Sequence, residues 1–444
     1  MPGRRDEQGS GMASQSGAHL KRDIGYFGAM LLVLNGLIGA GIFALPGAVA
    51  ANVGLWGPWL FLIVGFLFLA VVLSFAELAS YYDTSGGPIL YSLDAFGPVA
   101  GFSTGWLLFV SRMSAYAANS TVMATYVGAL EPWFADGAGR ALVIMLVTAG
   151  LVWSNVIGVK DGVRTMAVLT VLKITPLLIM VLAGLGEVTG ATLLPGGSIF
   201  MDELGATSLL LIYAYVGFET LAVTAAETRN PRQSLPSALV RTVVAIGILY
   251  FLVMLVFVAI IPPADYASST LVDVSRHLAG PIGAIGITIA AIFSIAGNCS
   301  QSMLQGPRLV FSLAEHGMLP RLFARINPRY STPDVAIVAT GALGLALALT
   351  GTFVQLAIAS SLARLIAYVL CIAALPAVRR KADEDTRRQA YRLKGGYAIP
   401  AAGLAICIWL MLQTTAANWI AVGLLLGLGI ALYLLELRFL KPAA

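Results

Sequence analysis

Charge is scarce in this sequence. Asp, Glu, Lys and Arg make up 11% of its 444 residues, where a soluble domain carries about 25%. Hydrophobic residues make up 58%, and the mean hydropathy is +0.86. No soluble core absorbs so much apolar surface, so lipid must be the solvent for most of the chain. Cysteine is nearly absent. Cys299, Cys371 and Cys407 are an odd number in apolar runs, without paired spacing, which excludes a disulfide framework and a zinc site. Histidine is limited to His19, His277 and His316, far apart. No metal site and no cofactor is therefore expected. A nucleophile elbow, a P-loop and a filter-like carbonyl motif are also missing, which argues against an enzyme, an ATP-driven pump and a channel. The net charge of +5 does not imply nucleic acid, because the basic residues are dispersed over short loops that flank apolar runs. The first residues are polar and rich in Gly and Ser, with no apolar h-region of a cleavable signal. A disordered cytoplasmic tail over residues 1–22 is expected there.

What the sequence does have is long apolar runs. A spanning helix needs roughly 20 mostly apolar residues. Twelve stretches qualify: 25–48, 55–82, 98–130, 140–158, 163–186, 205–228, 237–262, 281–314, 334–350, 353–378, 398–416 and 418–438. With the N-terminus inside, 22 of the 27 Lys and Arg residues fall on the inner side. Only Arg140 and Arg276 fall outside, and Arg112, Lys173 and Arg364 lie within spans. That asymmetry orients a multi-pass protein with both termini in the cytoplasm, in a bacterial cytoplasmic (inner) membrane. Residues 86–97 read as a short amphipathic piece on the cytoplasmic side. Residues 379–394 read as a solvated charge run. Glu77, near the cytoplasmic end of the second span, reads as one half of a loop-anchoring ion pair.

Two spans carry signs of interruption. The first contains Asn35-Gly36-Leu37-Ile38-Gly39-Ala40-Gly41-Ile42-Phe43, with three glycines within six positions. Glycine costs about 1 kcal/mol in a helix interior relative to alanine. Unwound backbone in lipid costs several kcal/mol per unsatisfied group unless it faces protein, ligand or water. The plain alternative is close helix packing through small residues. The sixth span carries Tyr213-Ala214-Tyr215-Val216-Gly217-Phe218-Glu219-Thr220, where a glycine, an aromatic and an acid are consecutive at mid-span. Equivalent interruptions in two halves mark an inverted-repeat transporter. Half-helix N-termini there attract a carboxylate, and freed carbonyls take an ammonium group, so a zwitterionic amino acid suits both.

Several stretches match one known family. Gly39-Ala40-Gly41-Ile42-Phe43 resembles the G-x-G-I-F signature of amino acid–polyamine–organocation transporters. Glu77-Leu78-Ala79 followed by Gly86-Gly87 resembles the family's exit from helix 2. Glu227 to Arg232 with Leu235-Pro236 resembles its E-x-x-N-P-x-x-x-x-P loop, and Arg308 through Gly317-Met318-Leu319-Pro320 its R…G-x-L-P segment. The resemblance runs from residue 25 to about 440. It implies an all-α membrane protein of LeuT type, with twelve transmembrane helices in a five-plus-five inverted repeat and two trailing helices. Helices 1 and 6 are then unwound at mid-membrane. The implied divisions are 23–187 and 203–378 for the repeats, 379–397 for a cytoplasmic loop, and 398–444 for the last helices and tail. It also implies amino acid transport by alternating access.

On this reading the substrate meets Ile38, Gly39, Ala40, Gly41 and Ile42 in the first span. In the sixth it meets Tyr215, Val216, Gly217, Phe218 and Glu219, with Phe218 as part of a lid. Core packing is the plain alternative for the aromatics. Ionisable residues within a bilayer are functional candidates. Lys173 resembles a helix 5 lysine that, in some family members, stands where sodium-coupled relatives hold sodium. It is expected to tie the fifth span to carbonyls of the first, as a fixed cation or a proton carrier. Glu219 is a candidate proton sensor or a protonated, hydrogen-bonded carboxyl. Arg112 either faces the central cavity, to pair with an acidic substrate or with Glu219, or snorkels or pairs with a neighbouring helix. Ser294, Asn298 and Ser360 are candidate cavity residues, and Arg364 has no assigned role. The expected partners are a small amino acid, neutral in side chain, the lipid bilayer, and the proton as candidate coupling ion, with sodium independence and no stated oligomeric state. The alternatives are obligate exchange, acidic or cationic substrates including polyamines, and a membrane sensor or channel.

Overall fold

The computed structural model describes residues 25–82, 87–158, 163–194, 201–219 and 231–440. The N-terminal tail, Gly86, residues 220–228 of the sixth span and the motif residues Glu227 to Asn230 lie outside the described residues. Among those described there is helix and no strand. In chain order the helices are α1 Tyr26–Leu37, α2 Gly41–Val53, α3 Gly57–Ser80, α4 Pro88–Phe96, α5 Pro98–Gly128, α6 Gly137–Val156, α7 Val163–Gly184 and α8 Gly190–Leu193. There follow α9 Met201–Tyr215, α10 Pro231–Ile260, α11 Leu271–Glu315, α12 Asp334–Thr350, α13 Phe353–Lys381, α14 Glu384–Gln389, α15 Ala398–Leu412 and α16 Ala416–Leu440.

Their boundaries follow local chemistry. Proline stands in the first turn of α3, α4 and α5, where its missing N–H would have had no partner. Gly87 and Gly97, with φ of +45° and +90°, turn the chain ahead of α4 and α5. Capping boxes open α11 at Thr270 and Asp273 and α13 at Thr352 and Gln355. α11 is kinked at Ala279 and Gly280, ahead of Pro281, which can supply no helical N–H.

Among the described residues, seven helical segments are long and apolar enough to cross a membrane: residues 41–80, 137–156, 170–187, 234–260, 271–315, 353–381 and 416–436. α1, α12 and α15 are shorter apolar helices. Large apolar side chains such as Phe66, Leu182, Ile282 and Leu424 stand exposed on the outer faces, the surface that lipid covers. The chain is a multi-pass membrane protein. α5 differs from the apolar segments. It carries Ser111, Arg112, Ser114, Asn119, Ser120 and Thr121 along its length, yet 24 of its 31 residues are buried. It is the central column, packed against α4, α6, α11, α12, α13 and α16. α3 packs along α10, and α2 along α9.

One ion pair closes an end of the bundle. Glu77, near the end of α3, is fully buried. Arg379 of α13 donates to both its oxygens, Nε to Oε1 and Nη2 to Oε2, each at 2.8 Å. The Leu393 amide donates to Oε2 at 3.1 Å. Arg379 also reaches the Gly396 carbonyl at 2.9 Å and lies 4.5 Å over the Tyr397 ring. Arg379 is therefore no part of a solvated run, because its fork geometry and a waiting carboxylate draw it inward. Arg380 to Arg392 remain mostly exposed.

Removing one partner of a buried pair leaves an uncompensated charge, at about 3–5 kcal/mol. Glu77→Gln or Arg379→Met should lower the melting temperature of the detergent-solubilised protein, and the double change should recover part of the loss. Unchanged melting in both single variants would show that the clasp contributes nothing.

Candidate functional site

The first span is broken where its glycines cluster. α1 ends at Leu37 and α2 begins at Gly41, with Ile38, Gly39 and Ala40 between them outside helix. The peptide groups released there are taken up by side chains from four other helices. Lys173 of α7, fully buried, donates from Nζ to the Ile38 carbonyl at 3.0 Å and to Asn35 Oδ1 at 2.5 Å. Ser294 Oγ of α11 lies 3.4 Å from the same carbonyl. The Tyr250 hydroxyl of α10 donates to the Leu37 carbonyl at 3.1 Å, and Asn298 Nδ2 of α11 to the Gly36 carbonyl at 3.3 Å. The Ala40 amide donates to Asn119 Oδ1 of α5 at 2.9 Å. Asn119 Nδ2 donates in turn to Asn298 Oδ1 at 2.7 Å.

The second interruption lies against the first. α9 ends at Tyr215, and residues 216–219 form turns. Gly217 has φ +114°, a conformation that L side chains rarely adopt. Its backbone abuts that of Gly36. A Cβ added to Gly217 would lie 2.6 Å from the Gly36 oxygen, and one added to Gly36 would lie 2.9 Å from the Gly217 oxygen. Glu219, buried, is held beyond the turn. Its Oε2 accepts from the Gly217 amide at 3.1 Å and from the Tyr368 hydroxyl at 2.7 Å. Its Oε1 lies 3.4 Å from Arg364 Nε.

A cavity of about 460 Å³ of empty space, part of it open to solvent, sits at this junction. Gly36, Gly39, Ala40 and Gly41 line one wall, and Tyr213, Val216 and Gly217 another. Arg112, Ala115 and Asn119 of α5, Asn298, Gln301 and Ser302 of α11, and Arg364 of α13 complete it. Of the residues singled out from sequence, Gly39, Ala40, Gly41, Val216, Gly217, Arg112 and Asn298 border this space. Ile38 and Lys173 lie just behind it, joined by their hydrogen bond. Ile42 is fully buried outside the lining. Tyr215 donates its hydroxyl to the Phe61 carbonyl at 2.6 Å, away from the cavity. Phe218 lies among Phe68, Phe75 and Tyr368, with ring centroids 5.4–5.8 Å away. The turn at Gly217 sends it there while Val216 and Gly217 keep the cavity side. Ser360 bonds Ser111 within the α5–α13 contact.

Sequence reasoning missed Asn119, Tyr213, Gln301 and the part of Arg364. Asn119 stands seven residues after Arg112, two turns along one helix face, and Gln301 three residues after Asn298. Those spacings were the available signal. For Arg364 the signal was its rarity alone.

A wider, open depression of about 1110 Å³ lies next to the cavity, lined by Phe43, Tyr126, Leu210, Ser269, Thr270 and Phe353 among others. Tyr213 and Phe353 meet edge to face, centroids 5.7 Å apart, as the divider between the two spaces.

Gly217→Ala combines left-handed strain with a backbone clash, a cost of about 1–3 kcal/mol. The variant should melt below the unaltered protein in detergent, while Gly150→Ala, at a helical position with open space, should not.

The family model described as "Amino acid permease" matches residues 24–430. The chain is 26% identical over 448 residues to the methylthioribose transporter of Bacillus subtilis (strain 168), covering 96% of this chain and 95% of that one. It is 28% identical over 425 residues to the serine/threonine exchanger SteT of the same organism, covering 93% and 95%. It is 28% identical over 388 residues to the cystine/glutamate transporter of Homo sapiens, covering 84% and 77%.

Proposed function

The chain belongs to the amino acid permease family, and from that premise we propose that it is a secondary transporter of L-amino acids working by alternating access. Permeases of this family carry small molecules across membranes and are not enzymes. The observation that carries the finer reading is the junction of the broken first span with the end of α9 around one cavity. The first amides of α2 have no carbonyl ahead of them in the helix and carry the positive end of its dipole, so they take the α-carboxylate. The α-ammonium goes to the carbonyls of Gly39, Val216 and Gly217, since that of Ile38 is held by Lys173 and Ser294 and that of Ala40 by the first turn of α2.

The twelve sequence stretches become twelve crossings in two inverted repeats, 23–187 and 203–378, followed by 398–444. Both termini are cytoplasmic, in the inner membrane. The depression bordered by Phe353 is then the outer vestibule, and Tyr213 with Phe353 is the outer gate, the part that sequence reading gave to Phe218. The cluster of Phe68, Phe75, Phe218 and Tyr368 is the inner seal. Lys173 supplies a positive charge at the break, where it makes a sodium ion superfluous, and its proton is the coupling proton. A second reading is supported by the full burial of Lys173 and its two hydrogen bonds: the ammonium is a fixed strut and the protein exchanges one amino acid for another.

Uptake of labelled amino acids into proteoliposomes tests this. An alkaline interior should accelerate uptake if protons travel with substrate. Stimulation only by amino acids loaded inside, with no response to the pH gradient, selects the exchanger. Loss of the Lys173 bonds in Lys173→Ala removes charge-assisted hydrogen bonds of about 1.5–3 kcal/mol and should cut flux about tenfold or more. Flux equal to that of the unaltered protein removes the lysine from the mechanism. For orientation, the three native cysteines are buried. Arg388→Cys, at an exposed position, should react with an impermeant maleimide in inside-out vesicles and not in right-side-out ones.

A further inference from the structure

The polar groups that line the cavity divide into two sets. Asn119, Asn298 and Tyr213 are bonded to the broken backbone, to one another or to neighbouring carbonyls. Among the described residues, Arg112 Nε and Gln301 Nε2 are buried and have no hydrogen-bond partner, whereas Arg364 Nε faces Glu219 Oε1 at 3.4 Å, as an ion pair. Arg112 and Gln301 are 9% and 5% exposed. Both orphaned atoms are N–H donors. A ligand that satisfies them must bring acceptors.

Charge points the same way. Arg112 and Arg364 contribute two guanidinium groups, and the buried acid beside them is Glu219. Glu219 is already engaged by the Gly217 amide, by Tyr368 and, loosely, by Arg364. It stands outside the cavity lining, whereas both arginines form part of it. The cavity therefore holds one guanidinium in excess, and Lys173 adds another cation behind the break. A buried charge without a counter-charge is strongly unfavourable. An arginine fork matches a carboxylate in plane and spacing.

A zwitterion alone does not use these donors. Under the transport reading its α-carboxylate lies at the start of α2 and its α-ammonium on the released carbonyls. Arg112 and Gln301 are left facing whatever the side chain carries. We propose that the side chain is itself a carboxylate, so that the substrate is an acidic L-amino acid, with Arg112 as its specificity-determining residue and Arg364, paired with Glu219, adding positive charge beside it. This replaces the neutral substrate expected from sequence, and it rests on the transport reading above. A neutral side chain would close the cavity over an unpaired guanidinium, and a cationic one would meet two like charges.

The test compares each acid with its amide, which keeps the size and removes the charge. Proteoliposomes with the unaltered protein should take up L-glutamate or L-aspartate at least about tenfold better than L-glutamine or L-asparagine. In detergent, L-glutamate should raise the melting temperature and L-glutamine should not. Arg112→Gln should bring the acid-to-amide ratio close to one, and Arg112→Lys, which keeps the charge, should retain part of it. If acids and amides are carried alike, Arg112 meets the α-carboxylate of any amino acid and the proposal fails while transport stands. Preference for neutral or cationic amino acids also overturns it. If no amino acid of any class is carried or shifts the melting, the transport reading falls along with it.

Discussion

A peptide group inside a bilayer has no water to bond, so each one that leaves a helix must find its partner within the protein. The break at Ile38, Gly39 and Ala40 places several such groups in the middle of the bundle, and much of the surrounding architecture answers them. Lys173, Ser294, Tyr250, Asn298 and Asn119 come from α7, α11, α10, α11 and α5 to bond Gly36, Leu37, Ile38 and Ala40. α5 supplies Asn119 to this network, and as a polar helix it is buried away from lipid. The burial of a lysine, a costly arrangement in an apolar region, has the same origin. Its ammonium joins the Ile38 carbonyl, which Ser294 also reaches, to the side-chain oxygen of Asn35.

The cavity is what remains after those partners are in place. On the side of α1 and α2 most of the released groups are bonded within the protein. On the side of Arg112 and Gln301 two buried donors are not. Fully satisfied networks make a rigid frame, and partly satisfied ones leave work for a ligand. The amino acid permease family supplies the general chemistry.

How much of this could be read from residues alone depended on whether the signal was local. The break was legible, because three glycines within six positions oppose a helix whatever surrounds them. The end of α9 beside Gly217 was legible for the same reason. Lys173 was legible because a lysine ten residues inside an apolar run must answer something. The helices of the central column were placed from their length, even α5, whose polarity hides it from a search for apolar segments. Contacts between distant helices were not legible. Nothing in the sequence says that Arg364 faces Glu219, since that depends on how α13 rotates against α9. Asn119 stands out from the other polar residues of α5 only once its face of that helix is known. Phe218 looked like a cavity aromatic from its neighbours, but the φ of Gly217 decides which way it points. Arg379 sat at the edge of a charge run, and only the position of Glu77 302 residues earlier takes it out of solvent.

The contact between Gly36 and Gly217 is made by backbone alone. Where side chains of one helix seat between those of the next, displacement means lifting each out of its slot and choosing new rotamers. Here two bare backbones touch, with no room for even a methyl group between them. Such a joint has nothing to unseat. It lets one segment slide or pivot on the other without repacking, as a plain bearing does, and it lies where the broken first span meets the turn after α9.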